Sequence, residues 1–297
     1  MAFPAPETVA EPCYSWPGAS RIDARDPRYP SRLGCLAAPP RAVWVSGRLP
    51  ATGERLIAMV GARAATAAGR RRAHDLAAAL GRKGFGVVSG GAFGIDAASH
   101  EGALSAAGST FAVLGCGTDI AYPDRHAGLF ANIAEHGGLL SEYPPGTKPR
   151  RGQFPARNRI IAALGEAVIV VEAAMQSGAL ITARLGRALG RPLLAVAGSS
   201  GTDALLRSGQ AWSVESADEV QAALAGELTP SRPPAPPASP HADLLSAIEL
   251  GAKTPGLLCQ RLGLPLPALL ARLAEAELDG MVRRASGDTY EVIHGPC

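Results

Sequence analysis

Nearly all the residues in this chain whose types and spacing suggest chemistry fall in four glycine-rich segments and one arginine-rich segment. Gly61-Ala62-Arg63 follows one apolar run, and Ser89-Gly90-Gly91-Ala92-Phe93-Gly94-Ile95-Asp96 follows another. Gly115-Cys116-Gly117-Thr118-Asp119 ends a third, and a fourth leads through Glu172 to Ser177, Gly178 and Thr182. Glycines let a phosphate approach backbone N–H groups, and a helix starting just beyond adds partial positive charge. Taken singly, each segment reads equally as a tight strand-to-helix turn. Only their convergence on one sheet edge makes a site.

The arginine-rich segment, residues 147–159 (TKPRRGQFPARNR), carries Lys148, Arg150, Arg151, Arg157 and Arg159 with no acidic residue, and Phe154 at its centre. Arginines beside an aromatic supply phosphate contacts and a stacking face, the pairing that single-stranded nucleic acid uses. A solvated loop anchored by Phe154 fits the same residues. Asp96 and His100 are spaced i,i+4 and share a helix face as an acid–base or metal pair, or as a helix cap and a locally bonded histidine. No G-x-G-x-x-G, G-x-x-x-x-G-K-[ST] or G-x-S-x-G fingerprint occurs, so neither ATP-driven chemistry nor a nucleophile elbow is expected. No metal set and no catalytic residue is assigned.

The elements that position these groups alternate. Apolar runs at residues 56–61, 85–90, 110–115, 139–143, 167–173 and 192–198 are separated by helical patterns at 64–84, 95–108 and 179–190. Strands apolar along their whole length belong to a parallel sheet covered on both faces. The expected fold is therefore α/β: a doubly wound, mostly parallel Rossmann-like sheet, with residues 42–47 as an added edge strand. Ligands of such sheets bind beyond the carboxyl ends of the strands, where the glycine segments lie.

Residues 1–28 read as a short lead-in, 29–225 as the Rossmann-like domain, and 226–240 (GELTPSRPPAPPASP) as a Pro-rich linker. Residues 241–297 show helical patterns at 243–250, from an N-cap at Thr254, and at 267–278. A hairpin follows, turning at Ser286-Gly287-Asp288, and together these predict a small C-terminal winged helix. This unit holds five basic residues against seven acidic ones, which favours protein docking over duplex reading.

The chain has 297 residues, 47% hydrophobic and 19% charged, with 29 basic against 26 acidic side chains; of the basic ones only Lys83, Lys148 and Lys253 are lysines. A net charge of +3 excludes a histone-like polycation but not a local basic patch. Five scattered cysteines fit neither a zinc site nor a disulfide framework. No apolar run nears the ~18 residues of a spanning helix, so a soluble, cytoplasmic protein is expected.

The succession GAR, SGGAFGIDAASH, GCGTDIAYP, LLSEYPPG, FPARNRIIAALG and VIVVEAAMQSGALITA resembles the DNA-processing protein A (DprA/Smf) family from about Tyr29 to Trp212. The resemblance implies a protein of natural transformation, with no catalytic step and no obligatory cofactor. Such a protein binds and protects incoming single-stranded DNA, helps load the recombinase RecA, and dimerises through the large domain. It also implies DNA-binding roles for Arg63, with Gly61, and for Ser89, Gly90, Gly94 and Asp96. The FP-x-RNR stretch adds Phe154, Arg157, Asn158 and Arg159, and the SG-x-x-x-TA stretch adds Ser177, Gly178 and Thr182. Ala62 stands where the family more often has serine, which removes one hydroxyl from the site.

Two other readings use the same residues. A nucleotide-processing enzyme of phosphoribohydrolase type is echoed by Gly198-Ser199-Ser200-Gly201-Thr202-Asp203, but Leu205 stands where its carboxylate belongs. A ligand-sensing transcription regulator needs a basic winged helix, which the acidic tail does not supply.

Overall fold

The computed structural model describes residues 16–227, 241–249, 251–278, 281–285 and 288–292. The chain divides into two compact units, Met1–Arg232 and Pro233–Cys297. Most of the expected Pro-rich linker, residues 228–240, lies outside the described residues, as does the Ser286-Gly287 part of the expected turn.

The first unit opens with β1 (Ser20–Asp23), β2 (Ala42–Gly47), β3 (Leu56–Val60), α1 (Ala67–Arg82), β4 (Gly86–Ser89) and α2 (Ile95–Ser105). It continues with β5 (Thr110–Leu114), α3 (Ala127–His136), β6 (Gly138–Ser141), α4 (Gln153–Leu164), β7 (Ala167–Val170) and α5 (Gly178–Ala188). It closes with β8 (Leu193–Ala195), α6 (Ser200–Arg207), β9 (Trp212–Ser213) and α7 (Ala217–Leu224). The nine strands form one sheet in the order β1-β2-β6-β5-β4-β3-β7-β8-β9. From β6 through β9 neighbours run parallel. At the far edge β2 pairs antiparallel with β6, and β1 with β2.

Two differences from the sequence reading stand out. The sheet already begins at Ser20, inside the expected lead-in, because β1 pairs Ile22 with Val43 and buries it. Trp16 is fixed as well, its indole N–H donating to the Thr118 carbonyl at 2.7 Å. The arginine-rich stretch, which also fits a solvated loop, is a loop only up to Gly152; from Gln153 it is helix α4. Pro155 is compatible with this because it sits in the first turn, where backbone N–H groups have no intrahelical acceptor.

Alternation across the sheet separates two cores. Leu56, Ala58 and Val60 of β3 pack with Ile160, Ile161 and Leu164 of α4 and Ala179 and Ala183 of α5. Ile57 and Met59 face Ala73, Leu76, Ala77 and Leu80 of α1 and Ile95 and Ala98 of α2. The i, i+3, i+4, i+7 spacing on α1 is what lets one stripe serve this face. Thr66 begins α1 as its N-cap, accepting from Gly69 N at 2.9 Å.

α1 and α2 meet closely at Gly102, where a Cβ would lie 2.1 Å from the His74 carbonyl oxygen. Backbone cannot yield as a side chain tip does. Gly102→Ala is therefore expected to destabilise the protein by about 1–3 kcal/mol in urea titration; an unchanged midpoint would mean the two helices separate freely.

The second unit contains α8 (Ala242–Glu249), α9 (Pro255–Leu262), α10 (Leu266–Leu278) and the antiparallel hairpin β10 (Val282–Ala285) and β11 (Thr289–Val292). Leu244, Ile248, Leu258, Leu269, Leu273, Val282 and Tyr290 form its core. Its cations are largely paired within it: Arg272 with Asp243, Arg283 with Glu291, and Arg284 with Asp288. Among the described residues no single helix is long and apolar enough to cross a membrane.

Candidate nucleic-acid interface

From β3 the chain winds one way through β4, β5 and β6, and after α4 it winds the other way through β7, β8 and β9. The switch point therefore lies between β3 and β7, and the crevice beyond their carboxyl ends is where such a sheet binds ligands. A cleft of about 370 Å³ occupies this position. Gly61 and Arg63 come to it from β3, Asp96 from the start of α2, Phe154, Arg157 and Asn158 from α4, and Ser177, Gly178 and Thr182 from α5. A second cavity of about 600 Å³ adjoins it, sharing Arg63, Phe154 and Arg157 and adding Phe93, Tyr122 and Arg125.

The open part of the site is an arginine with aromatics. The Arg63 guanidinium lies over the Phe154 ring, 5.7 Å from its centroid, and makes no ion pair among the described residues. On Phe154 also rests Tyr122, with centroids 5.2 Å apart and planes tilted by 34°. Phe93 stands edge-on to His126 at 4.7 Å. Phe93 and Tyr122 are 44% and 46% exposed, and both line the second cavity. Neither was singled out as a site residue, because an isolated aromatic in a loop leaves no periodic signal.

The inner part is the start of α5. Ser177 caps this helix, its hydroxyl accepting from Ala179 N at 3.3 Å, and an added Cβ at Gly178 would meet nothing within 4 Å. Thr182, one turn in, is 1% exposed and lines the cleft, and its hydroxyl has no hydrogen-bond partner among the described residues. A free hydroxyl one turn behind the Gly178 N–H, which alone of the first three amides of α5 has no acceptor among the described residues, suits a phosphate oxygen.

Several expected ligand contacts are spent inside the protein. Arg157 is 4% exposed. Its Nη1 donates to the Gly90 carbonyl at 2.6 Å and also to the Val113 carbonyl, and its Nε donates to Asn158 Oδ1. Arg157 thus ties α4 to the ends of β4 and β5. Gly90 has no side chain because that guanidinium occupies the space, with a Cβ falling 2.1 Å from Nη2. Gly61 and Gly94 are likewise required by protein neighbours, Ile95 and the Ala62 carbonyl respectively. Ser89 is buried and donates to the Met59 carbonyl at 2.6 Å. Arg159 turns away from the cleft to Glu142 and the Ala38 carbonyl. Lys148, Arg150 and Arg151 are exposed on the loop before α4 and line neither cavity.

Asp96 and His100 do not form a pair. Asp96 accepts from Ala92 N in the turn before α2, and burial raises its carboxyl pKa against the opposing pull of Arg157. His100 bonds Thr110 instead. No group of three or more His, Cys, Asp or Glu residues among those described could hold a metal.

Glu172, at the end of β7, accepts from both the backbone N–H and the hydroxyl of Thr66. Its carboxylate occupies the N-terminus of α1, where a Rossmann dinucleotide would set its pyrophosphate. The start of α5, which has no acidic residue in its first turn, lines this crevice instead.

The architecture thus defines a class: a doubly wound α/β binding domain with an arginine–aromatic cleft at its switch point. The chain belongs to the DNA recombination-mediator protein A family, whose sequence model matches residues 20–225, and the DprA winged helix domain matches residues 229–288. It is 48% identical over 202 residues to a DNA processing protein DprA of Mycobacterium tuberculosis, a match covering 64% of this chain and 52% of that protein. The matched region thus spans about half the length of that relative. Among solved structures, Streptococcus pneumoniae DprA is similar at 37% identity and a TM-score of 0.65, over 68% of this chain and 73% of that one. A Helicobacter pylori DNA processing protein A, described by its single-stranded DNA binding mode, is similar at 30% identity and a TM-score of 0.63, over 71% and 97%.

Proposed function

We propose that this protein binds single-stranded DNA in the cleft at the switch point and serves as a recombination mediator. The observation that carries the reading is Arg63, an unpaired cation held against Phe154 at the mouth of a cleft walled by exposed aromatics. A phosphate is received at the N-terminus of α5 by Ser177, Gly178 and Thr182. Bases stack on Tyr122 and Phe93, and Arg63 bridges the two parts as both phosphate partner and cation over the ring. Asn158 lines the same wall; Arg157 holds that wall in place and does not contact the ligand.

No base-reading edge is built into this arrangement, so the strand is held through its backbone and ring faces with little sequence preference. Stacking needs unpaired bases, which excludes duplex. In the cell the same reading gives a cytoplasmic protein of natural transformation that protects incoming strands and helps load RecA, acting as a homodimer through the first unit and without a cofactor or a catalytic step. The second unit, with its cations paired internally and Leu266 and Leu270 exposed on α10, serves protein docking.

The test is fluorescence anisotropy with labelled single-stranded and duplex oligonucleotides over a salt series. Single strand is expected to bind well ahead of duplex, and Arg63→Ala to weaken it while flattening the log K against log salt slope by about 0.7, one phosphate's share. An Arg63→Ala protein with unchanged affinity and slope would remove the cleft from consideration.

A further inference from the structure

A third cavity, of about 670 Å³, runs from Arg63 and Phe93 along the seam between α1 and α2. Arg70, Arg71 and His74 line it from α1, and Gly94, Ala97 and Ala98 from α2. The alanines leave a trough between the helices, and it closes where Gly102 meets the His74 backbone. Two residues join it to the arginine–aromatic site. Arg63 lines all three cavities, and Phe93 lines both this one and the cavity holding Tyr122.

The charges in the trough are arranged in order. Nearest the cleft is Arg63. Next comes Arg70, whose Nη1 is pinned to the Ala65 carbonyl at 2.6 Å, which orders the guanidinium while leaving its other N–H groups free. Beside it Arg71 is exposed and has no hydrogen bond or ion pair among the described residues. At the closed end stand Asp75 and Glu101, which repel a polyanion. A row of cations leading out of a nucleic-acid cleft and ending at two carboxylates is a backbone track of fixed length.

Resting on the reading of the cleft given above, we infer that the α1–α2 trough takes the phosphodiester backbone of the strand as it leaves the cleft past Phe93. It adds phosphate contacts at Arg70 and Arg71, and it stops at Glu101. Phe93 divides the two regions, with its exposed face available to the last stacked base. The footprint of the protein on a strand is therefore longer than the cleft alone, and affinity depends on oligonucleotide length through residues that never touch the shorter ligand.

The test compares oligothymidines of about 5 and about 15 nucleotides, lengths that bracket the site sizes of single-strand-binding OB folds. Against the longer strand Arg71→Glu is expected to lose about tenfold in affinity, with a salt slope lower by about 0.7–1.4. Against the shorter strand it should stay within about twofold of the parent, because no phosphate reaches the trough. Glu101→Lys is a gain-of-function counterpart on an exposed helix position, expected to tighten the longer strand alone by about threefold. Equal effects on both lengths, or none on either, overturn the track while leaving the cleft standing. A parent protein that binds neither strand overturns the cleft reading and the track with it.

Discussion

Replacing Arg157 by methionine is expected to lower the free energy of unfolding by about 3–5 kcal/mol, the usual result of deleting one member of a buried charged network. Methionine fills much of the volume, so the loss is electrostatic and polar in origin. Two carbonyls at the strand ends, Gly90 and Val113, lose their donor, and each unpaired buried acceptor costs about 1–3 kcal/mol. Buried Asp96 loses the cation that opposes its desolvation. The double variant Arg157→Met with Asp96→Asn should therefore recover part of the loss, with a coupling of about 1–3 kcal/mol in a double-mutant cycle. Urea denaturation of the four proteins measures this. A single-variant loss below about 1 kcal/mol would show that water or neighbouring dipoles replace the guanidinium. Arg63 supplies the contrast, since Arg63→Ala removes an exposed side chain and should leave stability within about 0.5 kcal/mol while binding falls.

That contrast marks where the sequence stops being informative. Both arginines sit in similar company, each near glycines and one near Phe154, and nothing local distinguishes the exposed, cleft-lining one from the buried one. The difference is made by Gly90, which is 67 residues from Arg157 and whose missing side chain leaves room for the guanidinium. β3, β4, β5 and β7 were legible because every residue in them is buried, and strands covered on both faces read as unbroken apolar runs. β1 was not, since only one of its four residues is buried and its strand state comes from pairing with β2. The first turn of α4 was obscured by Pro155 and by arginines that suggested solvent. The convergence of Arg63, Phe154 and Ser177 followed from topology, because a doubly wound sheet brings all its strand-to-helix turns to one edge. Tyr122 joined them through a loop whose course no periodicity encodes.

The charge placement also separates the candidate activities. In the first strand-to-helix turn, the helix start that a mononucleotide enzyme would use is held by Glu172, so an incoming phosphate there would meet a carboxylate. At α5 the corresponding space is open, and the nearest cation is Arg63, set against an aromatic ring. Phosphate and base are thus accommodated by different elements a short distance apart. That division favours a strand passing through the site over a single nucleotide enclosed by it.

A second large effect is expected from acid, through His100. Its Nδ1 lies 2.7 Å from Thr110 Oγ1, and that hydroxyl donates to the Val87 carbonyl at 3.2 Å. The hydroxyl must then accept, so Nδ1 carries the proton and Nε2 is the bare nitrogen. Nε2 is buried without a partner among the described residues, and burial, with Arg157 adding repulsion, holds the imidazole pKa down at about 3. The unfolded chain titrates this histidine near 6.5. Between those values the unfolded state binds a proton that the native state refuses, so stability is full above about pH 6.5 and falls steadily as pH drops toward 3. At pH 5 the loss is about 2 kcal/mol relative to neutral pH. Asp96 acts with the opposite sign, because a raised carboxyl pKa favours the native state as pH falls, so the histidine has to be isolated by comparison. His100→Asn keeps a donor toward Thr110 and cannot titrate in this range. Unfolding free energies from urea titrations at pH 7.5 to 4.5 should fall more steeply for the parent than for His100→Asn, by about 1.4 kcal/mol per pH unit below 6. Parallel lines would mean that the native protein admits a proton or a water at Nε2, and that the interior between α2 and β5 is less tightly closed than its burial indicates.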